Sequence, residues 1–270
     1  MHSALRAQMR PGEKKAKIIL VTSCKGGVGK STVSANLGMA LATCGHRTLL
    51  VDCDFGIRCL DVLTGLTDSA VYDVTDFVTG RAPLEKCAVS VSGTGDLMLI
   101  AAPYDVGHNA PNRAEFKRAI SDAAVNGGFE YIILDTPGGF GESLYMAAET
   151  AGSAYIVVSP DLTAIRAAEK TADFLEDSGV AVRRLIINKL TGKSVRRAKN
   201  DVLDLINSTH VRLIGCIPYE KELIAAGNDG RLINCMESEI CTQAFYNIAE
   251  RVTGKQIPLF DGIKKLNRIK

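Results

Sequence analysis

A glycine-rich loop with two lysines carries the residues of this chain best suited to chemistry. Residues 24–32 read CKGGVGKST and stand between an aliphatic run at 18–21 and a helical pattern at 33–41. Glycines let backbone N–H groups approach an anion closely, and the N-terminus of a helix adds partial positive charge. This context predicts a phosphate cradle in which Lys30 reaches the β- and γ-phosphates and Ser31 holds Mg²⁺. A glycine-rich turn with incidental lysines is the alternative, and the flanking strand and helix argue against it.

Carboxylates end or follow two later aliphatic runs. Asp52 and Asp54 close the run that begins at residue 48, and Asp135 ends another, with two glycines soon after it. Two carboxylates spaced by two on an extended segment lie on the same side of it. Beside a triphosphate, Asp52 and Asp54 suit metal-shell and water-positioning work, and Asp135 suits holding Mg²⁺ through water. The alternatives are an Asp-rich turn at 52–54 and a strand that merely ends at Asp135.

Aliphatic runs and helical patterns alternate along the chain, and they would position these residues. The runs that predict strands lie at 18–22, 48–52, 97–101, 131–135, 155–159, 185–188 and 213–218. Further helical patterns lie at 112–125, 163–177, 194–208 and 239–252. This alternation predicts an α/β fold, a mostly parallel sheet covered by helices on both faces. Such sheets bind ligands at the carboxyl ends of their strands, which is where the loop and the carboxylates fall.

Composition narrows the class of protein. A chain of 270 residues with 46% hydrophobic content fits one large α/β domain. The eight cysteines form no C-x-x-C pair, which argues against a zinc site or a disulfide framework and fits a reducing cytoplasm. Residues 1–17 and 255–270 are basic and the body between them is acidic, so general nucleic-acid binding is disfavoured. No apolar run approaches the roughly 20 residues needed to span a bilayer.

The first lysine of the loop has no use in an ordinary phosphate cradle. The pattern Lys-Gly-Gly-x-Gly-Lys-[Ser/Thr] resembles the deviant Walker A loop of the MinD/ParA family of P-loop ATPases, although Cys24 stands where the general pattern has glycine. The resemblance covers residues 17–254 and implies a three-layer P-loop NTPase fold, ATP and Mg²⁺ as cofactors, and slow ATP hydrolysis. It also implies that Lys25 crosses a homodimer interface to the partner's nucleotide, and that Asp54 helps position the attacking water.

The resemblance assigns further residues to the nucleotide site. Lys25, Lys30 and Asp54 are the implied catalytic residues, and Ser31, Asp52 and Asp135 are the implied metal residues. Asn188 with Lys189, and the segment 218–220, match segments that surround adenine. Asp161 matches a position near the nucleotide and the dimer interface. A strand-ending cap and proline turns are the alternatives. The implied nucleotide-binding residues are Gly26, Gly27, Val28, Gly29, Lys30, Ser31, Thr32, Asp161, Asn188, Pro218, Tyr219 and Glu220.

Two segments favour the MinD branch of the family. Residues 56–61 read GIRCLD and residues 71–74 read VYDV, which are similar to segments of that branch, although Cys59 replaces a usual asparagine. The segment after Asp135 holds no cysteine, which argues against the iron–sulfur members. Residues 1–17 hold no glutamine-bearing activation motif of the kind that flagellar-number regulators often carry.

The C-terminal residues predict an amphipathic helix. On a helical wheel one half holds Leu259, Phe260, Ile263, Leu266 and Ile269, and the other half holds Lys264, Lys265 and Arg268. This pattern is typical of a helix that lies in an anionic membrane interface, and it resembles the membrane-targeting sequence of the MinD branch. Two such tails in an ATP-bound dimer would bind better than one. The alternative is a segment that packs on its own domain or frays.

These patterns predict a flexible basic arm at 1–16, an ATPase domain at 17–254 and a membrane-targeting tail at 255–270. The resemblance implies a cytoplasmic protein, peripheral on the inner face of the membrane, that recruits a MinC-type division inhibitor and allows for a MinE-type activator. One alternative is a partition-type ATPase of the ParA kind that binds DNA through residues 178–200, which hold seven Lys or Arg and no acid. Another is a positioning ATPase such as a flagellar-number regulator, and a third is a nucleotide-gated scaffold that does not hydrolyse ATP.

Overall fold

An eight-stranded sheet forms the centre of the computed structural model, which describes residues 15–105, 111–191 and 206–259. Its strands are β1 (Lys17–Thr22), β2 (Thr48–Asp52), β3 (Val89–Ser90), β4 (Leu97–Ile100), β5 (Tyr131–Asp135), β6 (Ser153–Val158), β7 (Val182–Leu190) and β8 (Arg212–Pro218). Their order across the sheet is β3-β4-β2-β5-β1-β6-β7-β8. Only the edge strand β3 is antiparallel to its neighbour among these strands. The predicted mostly parallel sheet is therefore confirmed.

Helices cover both faces of the sheet. They are α1 (Lys30–Thr43), α2 (Leu60–Thr64), α3 (Val74–Val78), α4 (Leu84–Cys87), α5 (Arg113–Asn126), α6 (Glu142–Ala148), α7 (Leu162–Asp177), α8 (Lys221–Asn228) and α9 (Glu239–Thr253), with a 3₁₀ turn at Ile233–Cys235. Alternate side chains of β1 enter two separate cores: Ile18 and Leu20 pack with α5, α6 and α7, while Ile19 and Val21 pack with α1 and α9. The result is the predicted three-layer arrangement.

Capping residues fix where two of the predicted helices begin. Asn112 accepts a hydrogen bond from the Glu115 N–H at 2.9 Å, and the Glu115 side chain accepts one from the Asn112 N–H. This capping box starts α5 one residue later than predicted. Asp161 accepts from the Ala164 N–H at 3.0 Å and starts α7. Of the helix predicted at 194–208, residues 206–208 are described and are helical.

The order of the strands creates a crevice at the centre of the sheet. The chain leaves β1 towards β2 on one side, and it leaves β5 towards β6 on the other side of β1. Strands β1 and β5 are parallel neighbours, with Val21 opposite Asp135. The loops after β1 and β5 therefore open at a topological switch point, where ligands of such sheets bind.

Three predicted features lie wholly or partly outside the described residues: residues 1–14 of the arm, residues 192–200 of the basic run, and residues 260–270 of the tail. Among the helices that the structure describes, none combines the length and the apolar character needed to cross a membrane.

Candidate nucleotide site

The phosphate loop, residues 23–29, joins β1 to α1 in the predicted strand–loop–helix order. Gly27 and Gly29 have φ values of 74° and 92°, in the left-handed region that favours glycine. Gly29 stands at the N-cap of α1, and the first turn of that helix contains no acidic side chain. The partial positive charge of the helix N-terminus is therefore not offset by a carboxylate in its own first turn. A loop with this geometry suits an anion.

Two side chains at the end of β7 hold the carbonyl groups of the phosphate loop. Asn188 Nδ2 donates to the Val28 carbonyl at 2.9 Å, and Lys189 Nζ donates to the Gly27 carbonyl at 2.6 Å. In a trans peptide the N–H points away from the C=O. Fixing these two carbonyls therefore directs the N–H groups of Val28 and Gly29 to the opposite side, where a phosphate oxygen can accept from them.

Asn188 lies too close to the loop for any other residue at position 29. A Cβ built on Gly29 would lie 2.4 Å from Asn188 Nδ2. Asn188 and Lys189 were predicted from family resemblance as a segment near the base, and that role stays a prediction. In the structure both side chains brace the phosphate loop, a contact that was not predicted. The φ of Lys189, 59°, is rare for a residue with a side chain, and no local sequence pattern signals this conformation.

The metal side of the site centres on Asp135, whose side chain is fully buried. Its Oδ1 accepts a hydrogen bond from Ser34 Oγ at 2.7 Å, and the Ser31 hydroxyl lies close enough to this carboxyl group to lower its pKa. Its Oδ2 is buried without a hydrogen-bond partner. Burial raises the pKa of Asp135 to about 6, although the two serines and the charge of Lys30 oppose the rise. A serine hydroxyl beside an unpaired carboxylate oxygen is a donor set that fits Mg²⁺.

Asp52 fixes the acidic segment, which we define as residues 52–60. Its two oxygens accept the N–H groups of Asp54 and Leu60, each at 2.9 Å. Burial, together with the nearby charge of Asp135, raises the pKa of Asp52 to about 7. Both oxygens thus have backbone partners, and the metal role of Asp52 stays a prediction. Asp54 is half-buried, and burial raises its pKa while the charge of Lys30 lowers it.

A buried ion pair completes the acidic segment. Arg58 Nε lies 2.6 Å from Asp61 Oδ2, and the Arg58 guanidinium stacks on the Tyr104 ring at 3.9 Å from the ring centroid. Arg58 adopts a φ of 62°. The spacing of the carboxylates predicted Asp52 and Asp54, and family resemblance singled out residues 56–61. The contact of Arg58 with Tyr104 was not predicted, because it joins separate parts of the chain and leaves no local pattern.

Lys25 is held by its own chain. Its Nζ lies 2.6 Å from Asp161 Oδ1 and 2.9 Å from Thr163 Oγ1. Burial alone would raise the pKa of Asp161, but hydrogen bonds from Lys25, Ser159 and Thr163 outweigh burial and lower it. Lys25 must therefore leave this ion pair before it can reach a partner subunit. The sequence assigned both residues to the site without predicting their contact.

The loop after β5 packs directly on the phosphate loop. A Cβ built on Gly138 would lie 3.2 Å from Gly26 Cα and 3.5 Å from Lys30 Nζ. The Gly139 N–H donates to the Ser23 carbonyl at 3.4 Å. The two loops are therefore in contact through their backbones.

The remaining predicted residues follow the secondary structure. Ser31 and Thr32 lie in the first turn of α1, and Asn36 Nδ2 donates to the Thr32 carbonyl at 2.8 Å. Pro218 ends β8, and the Tyr219 N–H donates to the Leu190 carbonyl at 2.9 Å, which brings segment 218–220 beside the end of β7. Glu220 stands at the N-cap of α8 without a capping hydrogen bond from its side chain.

Cys24, the departure from the general P-loop pattern, has a structural explanation. Its φ is not positive, so its backbone does not require glycine. Its N–H donates to Thr171 Oγ1 on α7 at 3.3 Å. Burial raises the pKa of the Cys24 thiol above its ordinary value, so the thiol stays protonated at neutral pH.

Comparison with known proteins decides the family. Residues 14–253 match a family model described as ParA, NUBPL iron-transfer P-loop NTPase. The chain is 35% identical over 264 residues to the septum site-determining protein MinD of Synechocystis sp., covering 94% of this chain and 97% of that relative. The chain belongs to the MinD/ParA family. Within this family its matches include the MinD proteins of cell division, as the GIRCLD and VYDV segments predict.

Solved structures of family members share the fold. The MinC:MinD cell division protein complex of Aquifex aeolicus matches with a TM-score of 0.82 and 33% identity, covering 90% of this chain and 98% of that chain. MinD of Pyrococcus horikoshii, complexed with Mg-ADP, matches with a TM-score of 0.78 and 24% identity, covering 88% and 96% of the two chains. The predicted P-loop NTPase fold is thereby confirmed.

Proposed function

We propose that this protein is an ATPase of division-site selection that dimerises on ATP, binds an anionic membrane surface and is released by hydrolysis. The observation that carries the proposal is the phosphate loop, with two carbonyls held by Asn188 and Lys189, beside the unpaired oxygen of Asp135. The identity to MinD of Synechocystis sp. over almost the whole of both chains supports the biological setting.

The residues of the site divide the work of phosphoryl transfer. The N–H groups of the phosphate loop and Lys30 would bind the phosphates. Ser31 and Asp135 would hold Mg²⁺, whose charge would stabilise the negative charge on the phosphate oxygens. Asp54 orients the attacking water, and Asp52 keeps Asp54 in place through the backbone of the acidic segment. The structure of a MinD relative complexed with Mg-ADP supports this choice of ligands.

Lys25 provides the link between ATP and the dimer. The ammonium group exchanges Asp161 of its own chain for the nucleotide of the partner subunit, so that ATP joins the two subunits. Dimerisation then brings two C-terminal tails to the inner face of the membrane, where their combined affinity exceeds that of one. The proposed boundaries are an arm at 1–16, the ATPase domain at 17–254 and the tail at 255–270.

A MinC-type inhibitor is the proposed partner, because a MinC:MinD complex is among the structures that this chain resembles at 33% identity. A MinE-type activator of hydrolysis follows from the family resemblance alone. Both partners would bind the dimer, so their binding would depend on which nucleotide is bound.

The partition-type alternative loses part of its support in the described residues of the basic run. Arg183 pairs with Glu176 at 3.2 Å, Arg184 donates to the Arg183 carbonyl, and Lys189 is bound to the phosphate loop. These three cations are thus engaged within the domain, which weakens the case for a DNA-binding surface there.

Co-sedimentation with anionic liposomes tests the proposal. Full-length protein and a chain that ends at Gln256 are compared with ATP, with ADP and without nucleotide. We expect pelleting of the full-length protein with ATP only, and none for the shortened chain. Equal pelleting in all three nucleotide states would overturn the proposed dependence of membrane binding on ATP. No pelleting, together with ATP-dependent binding to non-specific DNA, would overturn the proposal in favour of the partition-type alternative.

A further inference from the structure

The chain turns sharply where α9 ends. Gly254, with a φ of 103°, donates its N–H to the Arg251 carbonyl at 3.1 Å, and the Lys255 N–H donates to the Glu250 carbonyl at 3.0 Å. A left-handed glycine at this position closes a helix and redirects the chain. The five residues that follow, 255–259, are called the root here, because the predicted tail continues from them.

One side chain of α9 binds both the root and the sheet. Arg251 donates from Nε to the Ile257 carbonyl at 3.0 Å and from Nη2 to the Pro258 carbonyl at 2.6 Å. Its Nη1 donates to the Ile214 carbonyl on β8 at 2.9 Å. A guanidinium is planar and rigid, so three carbonyls bound to it are fixed relative to one another.

The carbonyl on β8 is available because the strand contains a bulge. Leu185 of β7 pairs with Leu213 and Ile186 pairs with Gly215, so Ile214 is an extra residue on β8. A bulge leaves its extra residue outside the regular ladder. Gly215 lets α9 approach this point, since a Cβ there would lie 2.3 Å from Ile248 Cγ1 and 3.4 Å from Arg251 Nη1.

Two further contacts fasten the root. Lys255 Nζ lies 2.5 Å from Glu250 Oε2 at one end, and Leu259 packs against the hydrophobic core at the other. The arginine therefore acts in the middle of a segment that is also held at both ends. A free coil after a helix would need none of these contacts.

We propose that Arg251 is a positioning residue that clamps the root to β8, so that the chain leaves the domain from one fixed point. The guanidinium keeps its charge at every physiological pH, so the clamp is permanent with respect to pH. Its consequence at the membrane rests on the proposed function. Releasing the root would add about five residues of loose chain to each tail of a dimer, and would lower ATP-dependent liposome affinity by roughly two- to fivefold.

Limited trypsin digestion of the full chain tests the clamp directly. Arg251→Gln removes the guanidinium, so we expect trypsin to cleave after Lys255 about tenfold faster or more. Mass spectrometry of the products measures this rate. Arg231→Gln is the matched control, because Arg231 is an exposed arginine that pairs with Asp229 away from the root, and its rate should equal wild type. Hydrogen exchange in β1 and β5 must stay at the wild-type level, which shows that the domain is folded.

Two outcomes would overturn the clamp: an unchanged cleavage rate in Arg251→Gln, or an equal acceleration in Arg231→Gln. If the glutamine variant does not fold, Arg251→Lys carries the same test, since one ammonium cannot span three carbonyls and cleavage should again accelerate. The digestion requires neither nucleotide nor lipid. A wild-type protein that fails to bind liposomes would therefore refute the proposed function and leave this test intact.

Discussion

The phosphate loop and the acidic segment both lie at the carboxyl end of the sheet, yet different kinds of contact hold them in place. Neutral backbone carbonyls of the phosphate loop accept from Asn188 and Lys189. The acidic segment depends on the buried carboxylate of Asp52, whose pKa burial raises to about 7. The contacts that hold the phosphate loop therefore involve no carboxylate, whereas the acidic segment depends on the protonation state of one. Two neighbouring parts of one candidate site are thus held by different kinds of hydrogen bond.

The largest expected effect concerns the phosphate loop. Lys30→Ala removes the ammonium that binds the phosphates, and we expect ATP turnover to fall by at least about a hundredfold. Phosphate release measured under saturating Mg²⁺ checks this. Lys86→Ala, at an exposed lysine of α4, is the control and should retain full turnover. Undiminished turnover in Lys30→Ala would show that the phosphates bind elsewhere.

The second prediction separates the two lysines of one loop. Lys25→Ala should weaken ATP-dependent dimerisation by about thirtyfold or more, because a charge at a desolvated interface is lost. Nucleotide binding by the monomer should change little, since Lys25 contacts Asp161 rather than the loop in the monomer. Light scattering with ATP and with ADP measures the dimer. If Lys25→Ala dimerised with wild-type affinity, the proposal that Lys25 crosses to the partner's nucleotide would be wrong.

The third prediction concerns the bracing of the phosphate loop. Asn188→Ala leaves the Val28 carbonyl without its donor, and we expect nucleotide affinity to fall by about tenfold. Lys189→Met, which loses a more exposed contact, should cost roughly two- to threefold. Titration with a fluorescent nucleotide compares the two variants. Equal losses of nucleotide affinity in the two variants would mean that burial of a contact does not determine how much it contributes to nucleotide binding.

The last prediction tests the acidic segment by its response to pH. A carboxyl group has a pKa of about 4 in an unfolded chain. Because folding raises the pKa of Asp52 to about 7 and that of Asp135 to about 6, the folded state holds protons that the unfolded state has released. The free energy of unfolding should therefore fall as the pH rises from 4 towards 7.

Urea titrations without nucleotide, at several pH values, measure this slope. Asp52→Asn, which cannot ionise, should show a shallower slope than wild type. A free energy of unfolding that rises over this pH range in wild type and variant alike would contradict a raised pKa at Asp52.

Local patterns predicted the parts of this molecule that are themselves local. Aliphatic runs located seven of the strands, two of them without error, at Thr48–Asp52 and Tyr131–Asp135. The strand predicted at 155–159 begins two residues earlier, at Ser153, because polar Ser153 pairs with Ile19 although it breaks the aliphatic run. The short elements α2, α3, α4, α6, α8 and β3 were not predicted, since two to eight residues are too few to display a clear period.

Contacts between distant parts of the chain account for the rest of the site. The phosphate loop stands between a strand and a helix as predicted, but the pairing of Lys25 with Asp161 spans 136 residues. Lys189 reaches Gly27 across 162 residues, and only the fold brings the two together. No spacing along the sequence encodes such contacts, so they appear only once the strand order is known.

The pairing of β1 with β5 has a consequence for how the chain acquires its site during synthesis. The two strands are neighbours at the centre of the sheet, although Lys17 pairs with Tyr131. Contacts between residues so far apart form slowly, because closing the long loop between them costs entropy before the contacts can stabilise the chain. A nascent chain therefore exposes its phosphate loop well before Asp135 is available beside it, and the two can come together only after β5 has been synthesised.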